Sequence, residues 1–213
     1  MTSPKAASAN STGLDMRPLI LASASRYRAQ LLSDAGIAAE ICPASIDEAA
    51  LKQSMQSEGM DAADIARGLA EMKALRVSRG RPNALVIGAD QVLVCNGVLF
   101  SKPPDVAHAR AGLQALRGKV HELKTAVCVA LDNAVIWHHT ERARLRMRDF
   151  SDDYLDRYLA EAGDAVLSTV GAYELEGLGV QLFDRVEGDY FGILGLPLLP
   201  LLAFLRGHKV VMT

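Results

Sequence analysis

Residues 19–28 read Leu-Ile-Leu-Ala-Ser-Ala-Ser-Arg-Tyr-Arg, an apolar run that breaks on two serines and turns into a helical pattern carrying Arg28 in its first turn. The opening turn of a helix has unpaired backbone N–H groups and the positive end of the helix dipole, and Ser23, Ser25 and the Arg28 guanidinium add donors beside them. Those groups in that order suit a phosphate. Ser25 alone reads equally well as a plain helix N-cap, so other parts of the chain must supply complementary chemistry. A carboxylate follows at Asp90, which ends the run Ala84-Leu-Val-Ile-Gly-Ala-Asp90. Small and β-branched residues there predict a central parallel strand. Open α/β sheets put ligand chemistry at such strand ends, although an aspartate bonding only a turn backbone would look the same. Beyond the hairpin signal Asn96-Gly97 comes Lys102, held by Pro103 and Pro104. Closing the hairpin would turn Asp90 and Lys102 into one cleft, whereas Lys102 taken alone reads as a solvated surface lysine.

The elements that must position these groups alternate between strand and helix periodicity, the pattern of a mixed α/β protein. Strand 19–22 leads into a helix over 26–34 closed by Gly36, then a second strand over 39–42 and a loop carrying Ile46-Asp47-Glu48. Ile65, Leu69, Met72 and Arg76 fall at helical spacing within 61–78, ahead of an Arg81-Pro82-Asn83 turn. After the strand ending at Asp90, a helix over 105–116 precedes a strand that is entered from Gly118 and runs to Leu131. Two further strands are expected over 134–138 and 141–150. In Arg142-Ala-Arg-Leu-Arg-Met-Arg148 the arginines share one face of a strand, most simply a solvated outer face, with phosphate or subunit contact as the alternative. His121-Glu122 and His138-His139 lack metal-ligand spacing and read as structural. The apolar segment 193–205 is interrupted by Gly195, Pro197 and Pro200 and is shorter than the roughly 20 residues a membrane span needs, which predicts a buried C-terminal helix.

With 213 residues, half of them hydrophobic and 23% charged, the chain can bury a full core as one two-lobed domain or two small ones. Residues 1–16, rich in Ser, Ala, Thr and Asn and without a signal-peptide core, are expected to be a disordered leader, and 17–213 a single two-lobed domain. A net charge of −2 argues against nucleic-acid and membrane partners, which select basic faces. Cys42, Cys95 and Cys128 are too scattered for a disulfide framework or a zinc site, and a reducing cytoplasm is the natural setting.

An ordered set of motifs then carries a resemblance: Leu21-Ala-Ser-Ala-Ser with Arg28, Ile46-Asp47-Glu48, Lys73, Ile87-Gly-Ala-Asp90, Lys102-Pro103, Gly118-x-x-His121-x-x-x-Thr125, Gly171-Ala-Tyr173, Glu176-Gly177, and Gly188-Asp-Tyr190 through Gly195-Leu-Pro197. Together these resemble the Maf family of nucleotide pyrophosphatases over about 19–205. The resemblance implies an α/β fold, a mixed twisted sheet with flanking helices forming two lobes around a deep cleft, often dimeric. It implies hydrolysis of a nucleoside triphosphate to the monophosphate and pyrophosphate with a divalent metal cation, Mg²⁺ or Mn²⁺. Matched residue by residue, it puts Ser23 and Arg28 on the phosphates, Glu48 and Asp90 at the metal and attacking water, and Lys73 and Lys102 beside the triphosphate. Hard carboxylate oxygens suit such a metal, and cations offset the charge that builds on leaving pyrophosphate. The family pattern leaves the metal-ligand and general-base roles of Asp90 undivided.

The family's usual Ser-Pro-Arg-Arg is Ser25-Arg26-Tyr27-Arg28 here, and Asp90-Gln91-Val92 and Glu176-Gly177 replace Asp-Thr-Val and Gln-Gly. These departures resemble the subgroup acting on 7-methyl-GTP. A methylated guanine is cationic, so an aromatic face at Tyr27 and a carboxylate at Glu176 would complement it, whereas an amide suits a neutral pyrimidine. Tyr27 packing on its lobe and Glu176 capping a turn is the plainer alternative. Two other functions stay open: the same chemistry on dTTP or UTP, and a non-catalytic nucleotide-binding regulator of cell division.

Overall fold

The computed structural model describes residues 17–211, so the expected leader at 1–16 lies outside the described residues. A mixed seven-stranded sheet runs in the order β2-β1-β3-β5-β6-β7, with β4 paired to the far end of β3. β1 (Leu19–Leu21) lies parallel to β2 (Glu40–Ile41) and to β3 (Leu85–Cys95). Every other pairing, among β3, β4 (Val98–Phe100), β5 (Val120–Leu131), β6 (Ala134–Met147) and β7 (Phe183–Glu187), is antiparallel. The sheet with flanking helices is the α/β architecture expected.

The three long strands serve more than one core. In the first half of β3 and the second half of β5, one face packs on Ile65, Leu69, Ala70 and Ala74 of α3 (Ala62–Ser78) through Val86, Ala126 and Cys128. The other face, through Leu85, Ile87, Val127 and Val129, packs on Leu32 of α1 (Arg26–Asp34) and on Leu201 and Leu205 of a C-terminal helix. Further along the same strands, Leu93, Leu123, Leu145 and Met147 form a separate core with α4 (Val106–Leu116) and α5 (Asp152–Ala162). Asp90 and Gln91 sit on β3 where one core gives way to the next.

Several boundaries differ from the sequence-based expectation. β3 does not end at Asp90: Gln91-Val-Leu-Val-Cys95 continues it, paired antiparallel to β5 from Val86↔Ala130 to Val94↔Glu122. Asp90 is therefore mid-strand in mixed surroundings, not at the carboxyl end of a parallel strand. Glu48 is not in a loop. Asp47 caps α2 (Glu48–Ser57), its side chain accepting from Ala50 N at 3.0 Å, and Glu48 is the first helical residue. None of the residues of α2 is fully buried, which is why its apolar periodicity is faint. The two strands expected over 134–138 and 141–150 are one, because β5 pairs straight through the polar stretch at Val127↔His139 and Ala126↔Thr140. The C-terminal helix, α7 (Leu198–Gly207), starts after Pro197 and follows the short α6 (Tyr190–Ile193). Arg142, Arg144 and Arg146 form an exposed outer face of β6, with Arg142 and Arg144 near Glu122. Cys42, Cys95 and Cys128 are free thiols, and among the described residues no helix is long and apolar enough to cross a membrane.

α3 approaches the sheet closely because its buried stripe is rich in alanine and faces Gly88 of β3. A Cβ at Gly88 would collide with the Ala70 carbonyl oxygen and stand 2.8 Å from Ala74 Cβ and 2.9 Å from Ala74 N, where backbone cannot yield cheaply. Gly88→Ala should lower the unfolding free energy by about 3 kcal/mol, measured by denaturant titration. A loss under about 0.5 kcal/mol would show that α3 shifts without cost.

Candidate functional site

Where the cores meet, a cleft of about 430 Å³ is lined by residues from both sides, among them Ser23, Arg28, Glu48, Lys73, Asp90 and Lys102. Lys73 lies on the buried stripe of α3 with Ala66, Leu69, Ala70, Ala74 and Val77, a position that helical geometry reserves for apolar side chains. Its side chain is 6% exposed, and the ammonium sits 2.6 Å from Asp90 Oδ1 and 3.0 Å from Glu48 Oε1. A lysine so placed is costly unless paired, and these carboxylates, from β3 and the first turn of α2, supply the pairing. Asp90 is nearly buried at 9%, whereas Glu48, at 54%, reaches in from solvent.

The start of α1 forms the adjoining wall. Ser23 Oγ accepts from Arg28 Nη1 at 3.0 Å and from Ser25 N at 3.2 Å, and Arg28 Nε donates to the Gly195 carbonyl at 2.8 Å. Burial lowers the Arg28 pKa, with Asp90 and Glu48 opposing that shift, and the guanidinium stays cationic. Ser25 Oγ accepts from Arg28 N at 3.4 Å, so its hydroxyl is engaged as the N-cap of α1 while Ser25 still lines the cleft. Lys102 also lines the cleft, where desolvation and repulsion from Arg28 lower its pKa. Gln91, beside Asp90, brings Nε2 within 3.1 Å of Thr125 Oγ1 and the carbonyls of Gly192 and Ile193, tying α6 to the strand that carries the acid.

At the far end of the cleft Tyr27 reaches across from α1 to the loop over 168–176. Its hydroxyl donates to Glu174, lies 3.0 Å from Ser168 Oγ and accepts from Arg26 Nη2 at 2.7 Å. Arg26 also pairs with Glu174 at 3.0 Å. Glu176 lines the same end, with desolvation raising its carboxyl pKa. The structure brings together the sequence-predicted residues Ser23, Ser25, Tyr27, Arg28, Glu48, Lys73, Asp90, Lys102 and Glu176 on one cleft. Tyr27 bonds Glu174, not Glu176.

Two residues escaped the sequence reading. Glu174 carries no motif signal, because its contact with Tyr27 spans 147 positions. Lys52 also lines the cleft, and its signal is the i,i+4 spacing from Glu48, which counts only once α2 is a helix.

The loop bearing Ser168, Glu174 and Glu176 is held under local strain. Ala172 adopts φ 56° without being glycine, and its carbonyl accepts from Tyr158 Oη at 2.9 Å. Thr169 Oγ1 donates to Tyr173 O at 2.9 Å and accepts from Tyr173 N at 3.1 Å. The Tyr173 ring occupies the space a side chain at Gly171 would need. Buried His121 lies 2.8 Å from Tyr173 Oη through Nε2, a structural role as expected, and burial lowers its pKa to about 4. His139, stacked on Trp137 and 3.2 Å from Glu141, and the exposed His138 are not among the cleft's lining residues.

Among the described residues no group of three His, Cys, Asp or Glu side chains could hold a metal unaided. Glu48 Oε1 and Asp90 Oδ1 both meet the Lys73 ammonium, and the second oxygen of each carboxylate is a hard donor of the kind that suits a Mg²⁺-like cation, commonly held by one or two carboxylates plus substrate phosphates.

Residues 18–208 match the Maf-like protein family. The chain is 55% identical over 193 residues to a protein of Granulibacter bethesdensis named nucleoside triphosphate pyrophosphatase, covering 91% of this chain and 98% of the relative. It is 56% identical over 187 residues to a protein of the same name from Paramagnetospirillum magneticum, covering 88% and 96%. It is 48% identical over 192 residues to one of Rhizobium meliloti named 7-methyl-GTP pyrophosphatase, covering 90% and 96%.

The buried histidine makes stability depend on pH. With a folded pKa of about 4 against an ordinary value near 6.5, His121 stays neutral in the native state while the unfolded chain takes up a proton. The resulting stabilisation is complete above about pH 6.5 and is lost as pH falls toward 4. In denaturant unfolding at pH 7 and 4.5, the stability gap between wild type and His121→Gln should narrow by about 2 kcal/mol at the lower pH. An equal gap at both values would mean that His121 is protonated without cost in the folded protein.

Proposed function

The chain belongs to the Maf-like protein family, and on that premise we infer that its cleft hydrolyses a nucleoside triphosphate to the monophosphate and pyrophosphate. The observation that carries this is the Asp90–Lys73–Glu48 cluster in one cleft with the cations Arg28 and Lys102. A triphosphate needs both kinds of charge: cations for its oxygens, and carboxylates to hold a divalent metal and take a proton.

We propose that Glu48 and Asp90 hold Mg²⁺ or Mn²⁺ together with the substrate phosphates. Such a cation supplies charge neutralisation on the triphosphate and acidifies the attacking water. Lys73, ion-paired to both carboxylates, keeps their oxygens converged, and Asp90, the more enclosed of the pair, accepts the proton of the water. Arg28, fixed by Ser23 and the Gly195 carbonyl, and Lys102 in the same cleft offset the charge developing on pyrophosphate.

We further propose 7-methyl-GTP as the preferred nucleotide. What supports it is that Tyr27, Glu174 and Glu176 line one cleft, an aromatic ring and carboxylates that already receive a cation, the Arg26 guanidinium over the Tyr27 ring and paired with Glu174, and that would complement a cationic purine in the same way. The 7-methyl-GTP name of the Rhizobium meliloti relative points the same way.

Pyrophosphate release with Mg²⁺ or Mn²⁺ across 7-methyl-GTP, GTP, dTTP, UTP and CTP tests both levels. Asp90→Asn should lower kcat about a thousandfold while circular dichroism stays native. Glu176→Gln should shift preference about tenfold away from the methylated base. Preference for dTTP or UTP in the wild type would reject the base assignment and keep the chemistry. Nucleotide binding without turnover on any of the five would reject the chemistry in favour of a nucleotide-binding regulator.

A further inference from the structure

Glu48, one of the carboxylates of the cluster, stands on the least anchored element around the cleft. α2 has no fully buried residue, and its apolar contact with α3 rests on partly buried side chains such as Leu51 and Met55, the latter filling the space over Gly68. Elements with so little buried contact open locally at small cost. Yet Glu48 must be held to within a fraction of an ångström to share a ligand with Asp90.

One side chain meets this need. Lys52, one helical turn after Glu48 and on the same face of α2, sends its ammonium across the cleft wall to the Phe100 carbonyl at 2.7 Å and to Ser101 Oγ at 3.2 Å. Phe100 ends β4, registered opposite Leu93 on the strand that carries Asp90, and Lys102 follows two residues later. The ammonium thus joins the helix bearing Glu48 to the segment bearing Lys102, and the charges of Asp90 and Glu48 offset part of its desolvation there. Glu48's own ion pair with Lys73 could not hold α2 in its place if Glu48 turns to a cation during the reaction.

We propose that Lys52 is a positioning residue: it latches α2 to the end of β4 and so sets the separation of Glu48 and Lys102 across the triphosphate site. The functional part of this rests on the pyrophosphatase reading above. The latch itself is a property of the unliganded protein.

The test compares wild type, Lys52→Met, which keeps the apolar stem and removes the donors, and Lys52→Arg, which keeps a donor. Amide hydrogen exchange of the full chain without nucleotide should show α2 exchanging about tenfold faster in Lys52→Met, with α3 unchanged and protection restored in Lys52→Arg. In steady-state pyrophosphate release, kcat should fall about tenfold in Lys52→Met with KM moving less than about twofold and nucleotide preference unaltered. Unchanged exchange in α2 would overturn the latch. A rise in KM alone would overturn it too, making Lys52 a triphosphate contact. Ser101→Ala, which removes one acceptor, should give a smaller effect in the same direction and carries the test if Lys52→Met does not fold. If wild type releases no pyrophosphate from any nucleotide, the pyrophosphatase reading fails, while the exchange measurement still decides the latch.

Discussion

A cation buried on the apolar face of α3 is the constraint on which the rest of the cleft depends. Lys73 shares the buried stripe of α3 with Ala, Leu, Ile and Val side chains and, at the helix end, Ser78, and its side chain is almost wholly removed from water. The cost of that burial is met by Asp90 and Glu48, so the cluster forms only if α3, β3 and α2 are all in place. Replacing the cluster by apolar residues of similar size would be neutral or favourable for folding alone. The charged arrangement is thus better understood as an investment in the site than as a source of stability.

The sheet makes that arrangement possible by sharing its long strands between cores. β3 and β5 leave a core covered by α1, α3 and α7 and enter another under α4 and α5, and the interval between them is where polar side chains can face a cleft while β3 stays paired to β5. Asp90 is mid-strand because of this. A carboxylate on a loop would be nearer solvent and less fixed, whereas Asp90 is held by the pairing of β3 with β5 opposite Ala126.

The opposite end of the cleft is built by different means. The loop over 168–176 contains no strand or α-helix of its own, and its shape comes from Tyr158 of α5, His121 of β5, Tyr173, Thr169 and the left-handed Ala172. Backbone strain of that kind persists only where surrounding contacts over-determine it. Through Glu174 and Ser168 the loop meets Tyr27 of α1, so the two sides of the cleft touch directly at the end proposed to receive the base.

Much of this was legible in the chain. The serines and Arg28 after an apolar strand, the capped helix start, the Asn96-Gly97 hairpin and the alternation of strand and helix are all local signals, set by propensities and periods within a few residues. What stayed hidden was non-local or faint. α2 buries nothing fully, so its apolar periodicity is too faint to mark a helix or to place Lys52 beside Glu48. β3 continues beyond Asp90 because β5, some thirty residues further along, pairs with it. Glu174 meets Tyr27 across 147 positions, a contact that no spacing rule encodes. The sequence by itself determined which charged groups the protein possesses and which local elements carry them. Only the tertiary structure decided that Lys73 would sit between Asp90 and Glu48, because pairing a buried charge is a matter of distances of a few ångströms between elements, and such distances arise only when separate faces pack.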